Sequence, residues 1–179
     1  MGSLFRSFVS LSLLSASLAF AGWTQEGAGS ATVDAKGTMG IKIHGHTEKV
    51  TVSDDGKTLT VTVGAADIET DNSLRNGHMR EDIGAEKYKT LALSVPLESL
   101  KFSEEDGKTV EAEGTGDFAW HDKVVKVPFK YKATRSKGVY AVEATAKLNV
   151  EDFGIKIRSY LGVGVKPEVD IGAKFSVKK

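Results

Sequence analysis

Val125-Lys126-Val127-Pro128-Phe129-Lys130-Tyr131 alternates without a break, with apolar and aromatic side chains at the odd positions and Lys, Pro and Lys between them. Successive side chains of an extended chain point to opposite faces, so this stretch reads as a strand with one face in a core and the other in water. Ser136-Lys137-Gly138 follows as a turn signal. Beyond it Tyr140, Val142, Ala144, Ala146 and Leu148 alternate with Ala141, Glu143, Thr145, Lys147 and Asn149. Two half-apolar strands across a short turn make an antiparallel hairpin.

The same pattern extends in both directions. Leu59-Thr60-Val61-Thr62-Val63 sets aliphatic residues against threonines, and Val169, Ile171, Ala173, Phe175 and Val177 alternate with Asp170, Lys174 and Lys178. Shorter runs at 33–36, 41–44, 50–52, 91–97 and 109–113 fill the gaps, and turns are signalled at 54–57 and 104–108. One segment, 71–84, does not alternate: Leu74, His78 and Met79 fall near one helical face, and Gly77 argues against a long helix. It is expected to form a short helical excursion. The chain shows no internal repeat, low-complexity tract or linker after residue 22.

About eight half-apolar strands bury their inner faces as a sandwich or as a closed barrel. Charges on every outer face favour the barrel, because closure removes exposed edges. The fold expected is therefore all-β, an antiparallel β-barrel with one helical excursion. Several inner positions are small (Ala144, Ala146, Ala173) and the inner runs carry no charge. An apolar slot along the axis is expected, the alternative being that these alanines let strands pack closely at barrel corners.

Composition narrows the function. The 179 residues include no cysteine, which removes disulfide scaffolds, thiol nucleophiles and Cys-ligated metals. Acidic and basic residues balance at 24 each, so there is no overall field to hold nucleic acid. Residues 1–21 carry a single charge, Arg6, then an apolar run and Ala19-Phe20-Ala21, the small-x-small pattern of a cleaved leader. The expectation is a signal peptide over 1–21 and a soluble, exported domain over 22–179 with no stable membrane anchor.

Four stretches, in order, resemble the YceI family of secreted lipid-binding proteins: Thr70-Asp71-Asn72-Ser73-Leu74-Arg75-Asn76-Gly77-His78-Met79-Arg80 with Glu86-Lys87-Tyr88; Gly116–Val125; Leu148-Asn149-Val150-Glu151-Asp152-Phe153-Gly154-Ile155; and Gly162–Ile171. The family commonly has Asp where this chain has Asn76, Pro after Lys-Tyr where it has Lys89, an aromatic at Leu93, and a glycine-containing turn at His121-Asp122-Lys123. The resemblance implies an extended, lipocalin-like barrel in the bacterial periplasm that binds polyisoprenoid or other long-chain lipids along its interior.

On that reading the lipid tail is lined by Leu59, Val61, Val63, Leu93, Val127, Phe129, Tyr140, Val142, Val163, Val165 and Ile171, residues that serve equally as core. A phosphate or quinone headgroup needs hydrogen-bond donors, and Arg75, His78 and Arg80 form the basic cluster of the excursion. Glu81 and Asp82 beside them give the other reading, a surface ion-pair network. His44 and His46 share a strand face, but the reading that puts Ile41 and Ile43 inward turns both histidines to solvent, so no metal site is expected. His121-Asp122 is a dyad in sequence alone, and Tyr88 reads as a loop anchor or an added hydroxyl. With no nucleophile-elbow, P-loop or dinucleotide glycine pattern, no enzyme activity and no cofactor are expected. The function expected is carriage or sequestration of a long-chain amphipathic lipid (polyisoprenoid, quinone-like or fatty amide), or else a structural or stress-response role for a filled barrel. Homodimer formation is left open.

Overall fold

The computed structural model describes residues 22–157, 159–160 and 163–179. The leader expected over 1–21 lies outside the described residues. The chain runs β1 (Thr24–Gln25), β2 (Gly29–Gly37), β3 (Lys42–Asp54), β4 (Thr58–Gly64), α1 (Ser73–Asp82), β5 (Thr90–Pro96), β6 (Thr109–Trp120), β7 (Lys123–Ser136), β8 (Val139–Asn149), β9 (Ser159–Tyr160) and β10 (Val163–Lys178). All pairings are antiparallel, and the order β10-β2-β3-β4-β5-β6-β7-β8 returns to β10 through a β8–β10 ladder. Eight strands thus form a closed barrel, and the two-residue strands β1 and β9 add to β10 at its two ends.

Local chemistry sets the turns. At β7–β8 Lys137 and Gly138 have φ of +52° and +80°, as a two-residue hairpin with the natural strand twist requires. The β6–β7 turn has the same form without glycine, with His121 at +51° and Asp122 at +56°. Asp tolerates this region, and His121 is held there by contacts described below. At β3–β4 the Asp55 carboxylate accepts from Lys57 N and Thr58 N, which holds its acid below the usual carboxylate range.

Two expected runs, 41–44 and 50–52, prove to be one strand. In β3 the inward set shifts from Ile43, Gly45 and Thr47 to Val50 and Val52, because a bulge against β2 inserts an extra residue. Ile41, expected to face in, precedes the strand and stands 46% exposed. α1 runs ten residues through Gly77, longer than the sequence suggested, and ends where Gly84 takes φ +56°. No helix among the described residues is long and apolar enough to cross a membrane.

Bulk gathers in two clusters. One, around Val50, Leu59, Val95, Tyr131, Tyr140 and Val177, occupies the end where the β3–β4, β5–β6 and β7–β8 connections lie. The other, around Phe118, Trp120, Val127, Leu148 and Phe153, lines the wall toward the α1 end. Outside, cross-strand ion pairs cover the sheet: Lys132–Glu111, Lys130–Glu113, Lys126–Asp117, Lys174–Glu143 and Lys147–Asp170.

Candidate functional site

A cavity of about 630 Å³ runs inside the barrel between these two clusters. Register explains its place. Ala31, Ala173 and Ala144 are directly opposed on three adjacent strands, β2, β10 and β8, and Ala146 lies one layer on, opposite Ile171. Where a filled barrel would interlock branched side chains, this wall carries methyl groups.

The cavity is blind at the end opposite α1. Phe102 and Leu100, from the β5–β6 connection, line it there. Behind Phe102 the Trp23 ring lies 4.5 Å away and the Tyr140 ring 5.2 Å away, and Trp23 is itself 5.2 Å from Tyr140. These ring contacts make an aromatic floor. It is tied down on every side: Trp23 N donates to Asp54 Oδ2 at 2.7 Å, Lys101 N donates to Tyr131 Oη at 2.6 Å, and Gln25 bridges to the backbone of Val50 and Val52. Arg135 covers Tyr140 from outside, 5.8 Å from its ring, and donates to Glu104 O and Asp106.

Polar and charged side chains line the other end: Asn72, Arg75, His78 and Asp82 from the α1 segment, with Lys156 and Lys166 from across the barrel. The helix is started by Asn72, whose Oδ1 accepts from Arg75 N at 3.0 Å. It is seated by Asn76, whose Oδ1 accepts from both Thr70 N and Thr70 Oγ1 at 2.7 Å. An acceptor oxygen is all this contact uses, so Asn76 meets it as an Asp would. At the helix C-terminus His121 Nε2 donates to Ile83 O at 2.7 Å while its ring stacks on Tyr88 at 3.8 Å. The β6–β7 turn thereby pins α1 over the barrel end. Tyr88 is a loop anchor, taking a bond from Lys87 Nζ at 2.8 Å, and it stays out of the cavity lining.

Of the residues expected along a tail, Leu59, Val61, Val63, Leu93, Phe129, Val142, Val165 and Ile171 line the cavity. Val127 does not, being buried in the wall cluster with Phe118, Leu148 and Phe153. Nor does Tyr140, which is buried behind Phe102 as part of the floor. The side chain of Val163 lies outside the described residues. The basic cluster divides: Arg75 and His78 line the cavity, whereas Arg80 turns to Glu69, with Nη2 and Oε1 3.5 Å apart. Sequence reasoning missed Lys156, Lys166, Leu100 and Phe102, which belong to no alternating run.

The histidine pair on β3 is accounted for differently. His44 Nδ1 lies 2.7 Å from Asp34 Oδ1 across the β2–β3 pair, and the two imidazoles stack at 6.0 Å on the outer surface. Among the described residues no group of three or more His, Cys, Asp or Glu side chains is placed to hold a metal ion.

The same architecture occurs in solved structures. A polyisoprenoid binding domain from Saccharophagus degradans, implicated in plant cell wall breakdown, matches with a TM-score of 0.72 at 8% identity, over 87% of this chain and 97% of that one. Burkholderia cenocepacia BcnA matches with a TM-score of 0.63 at 14% identity, over 82% and 95%. A mutant CJ YCEI protein matches with a TM-score of 0.53 at 13% identity, over 100% and 99%. At such identities the likeness is one of fold. Comparison with curated proteins finds no match. The family model for the YceI-like domain matches residues 16–177, nearly the whole chain, and the protein belongs to that family.

Proposed function

We propose that this protein encloses the tail of a long-chain amphipathic lipid, a polyisoprenoid, quinone-like or fatty amide molecule, and carries or sequesters it without covalent chemistry. The observation that carries this reading is the blind, largely apolar cavity whose charged side chains and histidine all lie at the α1 end. At about 30 Å³ per group, close to the share of one water, 630 Å³ seats roughly 20 methylene-sized groups. Transfer of such a tail from water is worth ~0.8 kcal/mol per methylene, or about 16 kcal/mol gross. Association and ordering cost some 4–15 kcal/mol of that, which leaves about 1–12 kcal/mol net, so tail length and headgroup contacts together set how firmly the lipid is held.

The tail lies along the barrel axis with its end against Phe102, and the headgroup sits among Arg75, His78, Lys156 and Lys166. Arginine and lysine donate to a phosphate or to a carbonyl-bearing head, and their charge favours the phosphate. The name of the Saccharophagus degradans domain supports the polyisoprenoid option. The leader-like residues 1–21 support release into the bacterial periplasm. A filled barrel with an interaction role is disfavoured by the wall of alanines.

Native mass spectrometry of the purified protein, followed by organic extraction, tests the proposal. A stoichiometric lipid is expected, and its mass identifies tail and head. Protein that arrives bare, and that takes up neither added prenyl lipids nor fatty amides, overturns it.

A further inference from the structure

Three large aliphatic side chains stand exposed among the described residues: Ile41 at 46%, Leu74 at 69% and Val124 at 66%. Single exposed apolar residues are ordinary on protein surfaces, but their distribution here is not. Ile41 lies in the β2–β3 connection, Leu74 in the β4–β5 connection, and Val124 directly after the β6–β7 turn. In an antiparallel barrel these three connections share one end, the end where Arg75, His78, Lys156 and Lys166 line the cavity. The opposite end, with its turns at 54–58, 97–108 and 136–139, exposes no large aliphatic side chain among the described residues.

Each aliphatic side chain also has a basic neighbour in sequence: Lys42 beside Ile41, Arg75 beside Leu74, and beside Val124 Lys123, whose Nζ also donates to Asp152 O at 3.0 Å. Lys42, Lys156 and Lys166 form no ion pair among the described residues, unlike the paired lysines of the sheet exterior. Acidic groups share this end, Asp71, Asp82, Asp122 and Asp152 among them. Charge alone would not hold a surface there, and aliphatic insertion must supply the rest.

We propose that this end of the barrel docks reversibly on an anionic lipid bilayer, with Ile41, Leu74 and Val124 entering the headgroup region and the adjacent basic side chains meeting lipid phosphates. The arrangement matches what interfacial binding requires, apolar groups that penetrate and cations that attract, on a scale too small for permanent anchoring. Ile41 and Leu74 lie in connections at the cavity end, Leu74 itself lining the cavity mouth, and Val124 is the second residue of β7, so a molecule docked through them turns that end to the membrane. This goes beyond enclosure of a lipid and is testable apart from it.

The test is flotation of the purified protein with vesicles of phosphatidylcholine alone and of phosphatidylcholine mixed with phosphatidylglycerol. The protein is expected to float with the mixed vesicles and not with the neutral ones. Ile41→Ser combined with Val124→Thr should bind the mixed vesicles about tenfold more weakly or worse, since two aliphatic side chains no longer leave water. Ile41→Trp should bind them more tightly. Neither Ile41 nor Val124 lines the main cavity, so uptake of a prenyl lipid from detergent solution should be unchanged in the double variant. Absence of flotation with both vesicles, equal flotation with both, or undiminished flotation of a folded double variant would each overturn the proposal. Flotation without uptake would leave docking standing and remove the enclosure reading.

Discussion

Replacing Ala144 with Trp puts the enclosure reading to a quantitative trial. Ala144 lies on β8 opposite Ala173 on one side and Tyr131 on the other, and its methyl group faces the cavity. At native packing density the indole adds about 140 Å³, roughly a fifth of the cavity. That displaces about five methylene-sized groups of ~30 Å³ each. A tail long enough to fill the wild-type cavity then loses ~4 kcal/mol, about a thousandfold in affinity. A tail some five carbons shorter should bind as before. In a close-packed core so large a side chain would cost 1–3 kcal/mol of stability or more through strain, but here it enters open space, and the melting temperature should move little. The assay is a chain-length series of fatty amides titrated into delipidated protein, with thermal melting run in parallel. Unchanged affinity for the longest tail in a folded variant would refute the placement of the tail. Loss of folding would refute the claim that the alanine wall borders empty space.

Phe102→Ala should open the floor and raise the longest tolerated tail by about three to four carbons, the space of one ring at ~30 Å³ per methylene, read in the same series. Arg75→Ala should weaken an anionic-headed lipid far more than a neutral fatty amide, whereas Arg80→Ala, whose guanidinium faces Glu69, should discriminate little between them; equal losses from both substitutions would remove the assignment of Arg75 to the headgroup. Gly116→Ala brings a Cβ to 2.7 Å from Leu93 Cδ1 and 3.0 Å from Ser94 O, across a β5–β6 ladder of only three paired positions, and should cost about 2 kcal/mol in chemical denaturation. The hydrogen bond from Lys147, with Lys36 nearby, holds the Asp170 acid below the usual carboxylate range, so its contribution is present above the unfolded-state pKa and lost as pH falls through the lower folded-state value. Asp170→Asn should therefore reduce the acid sensitivity of the melting temperature below the usual carboxylate range, while leaving higher-pH sensitivity from other groups.

How far the sequence disclosed this fold depended on how each strand fills its inner face. β7 and β8 do so with side chains at every second position, and their alternation and turn are plain in the chain. β6 does so partly with absence: Gly114 and Gly116 leave room for the Phe129 ring and the Leu93 side chain, so only its beginning, 109–113, was legible. β3 hid its continuity behind a bulge that changes the parity of its inward residues. The division of the basic cluster follows from helix geometry. Arg75, His78 and Asp82 recur at three and four residues and share a face, while Arg80, five on from Arg75, is turned about 140° away. The floor was invisible for another reason. Phe102 belongs to a connection with no period, and its place is set by Trp23 and Tyr140, both far from it in sequence.

These particulars bear on why the barrel is hollow. A void the size of a methyl group costs about 1 kcal/mol in a core, so a chain selected only to fold gains by filling one. This chain places its aromatic and branched residues at the floor and along one wall, and puts alanines directly opposite one another between them. Cohesion is supplied elsewhere, by a ladder that leaves the barrel without an open seam, by the tied-down aromatic floor, and by ion pairs on the outside that take nothing from the interior. The asymmetry of the ends follows the same division. The floor end is locked by ring contacts and hydrogen bonds to backbone, whereas at the other a helix with no buried residue is held by contacts that include its caps, Asn76 and His121. With the floor closed and the charged side chains at the α1 end, the proposed tail would have one direction of entry, and the exposed aliphatic side chains stand at that end.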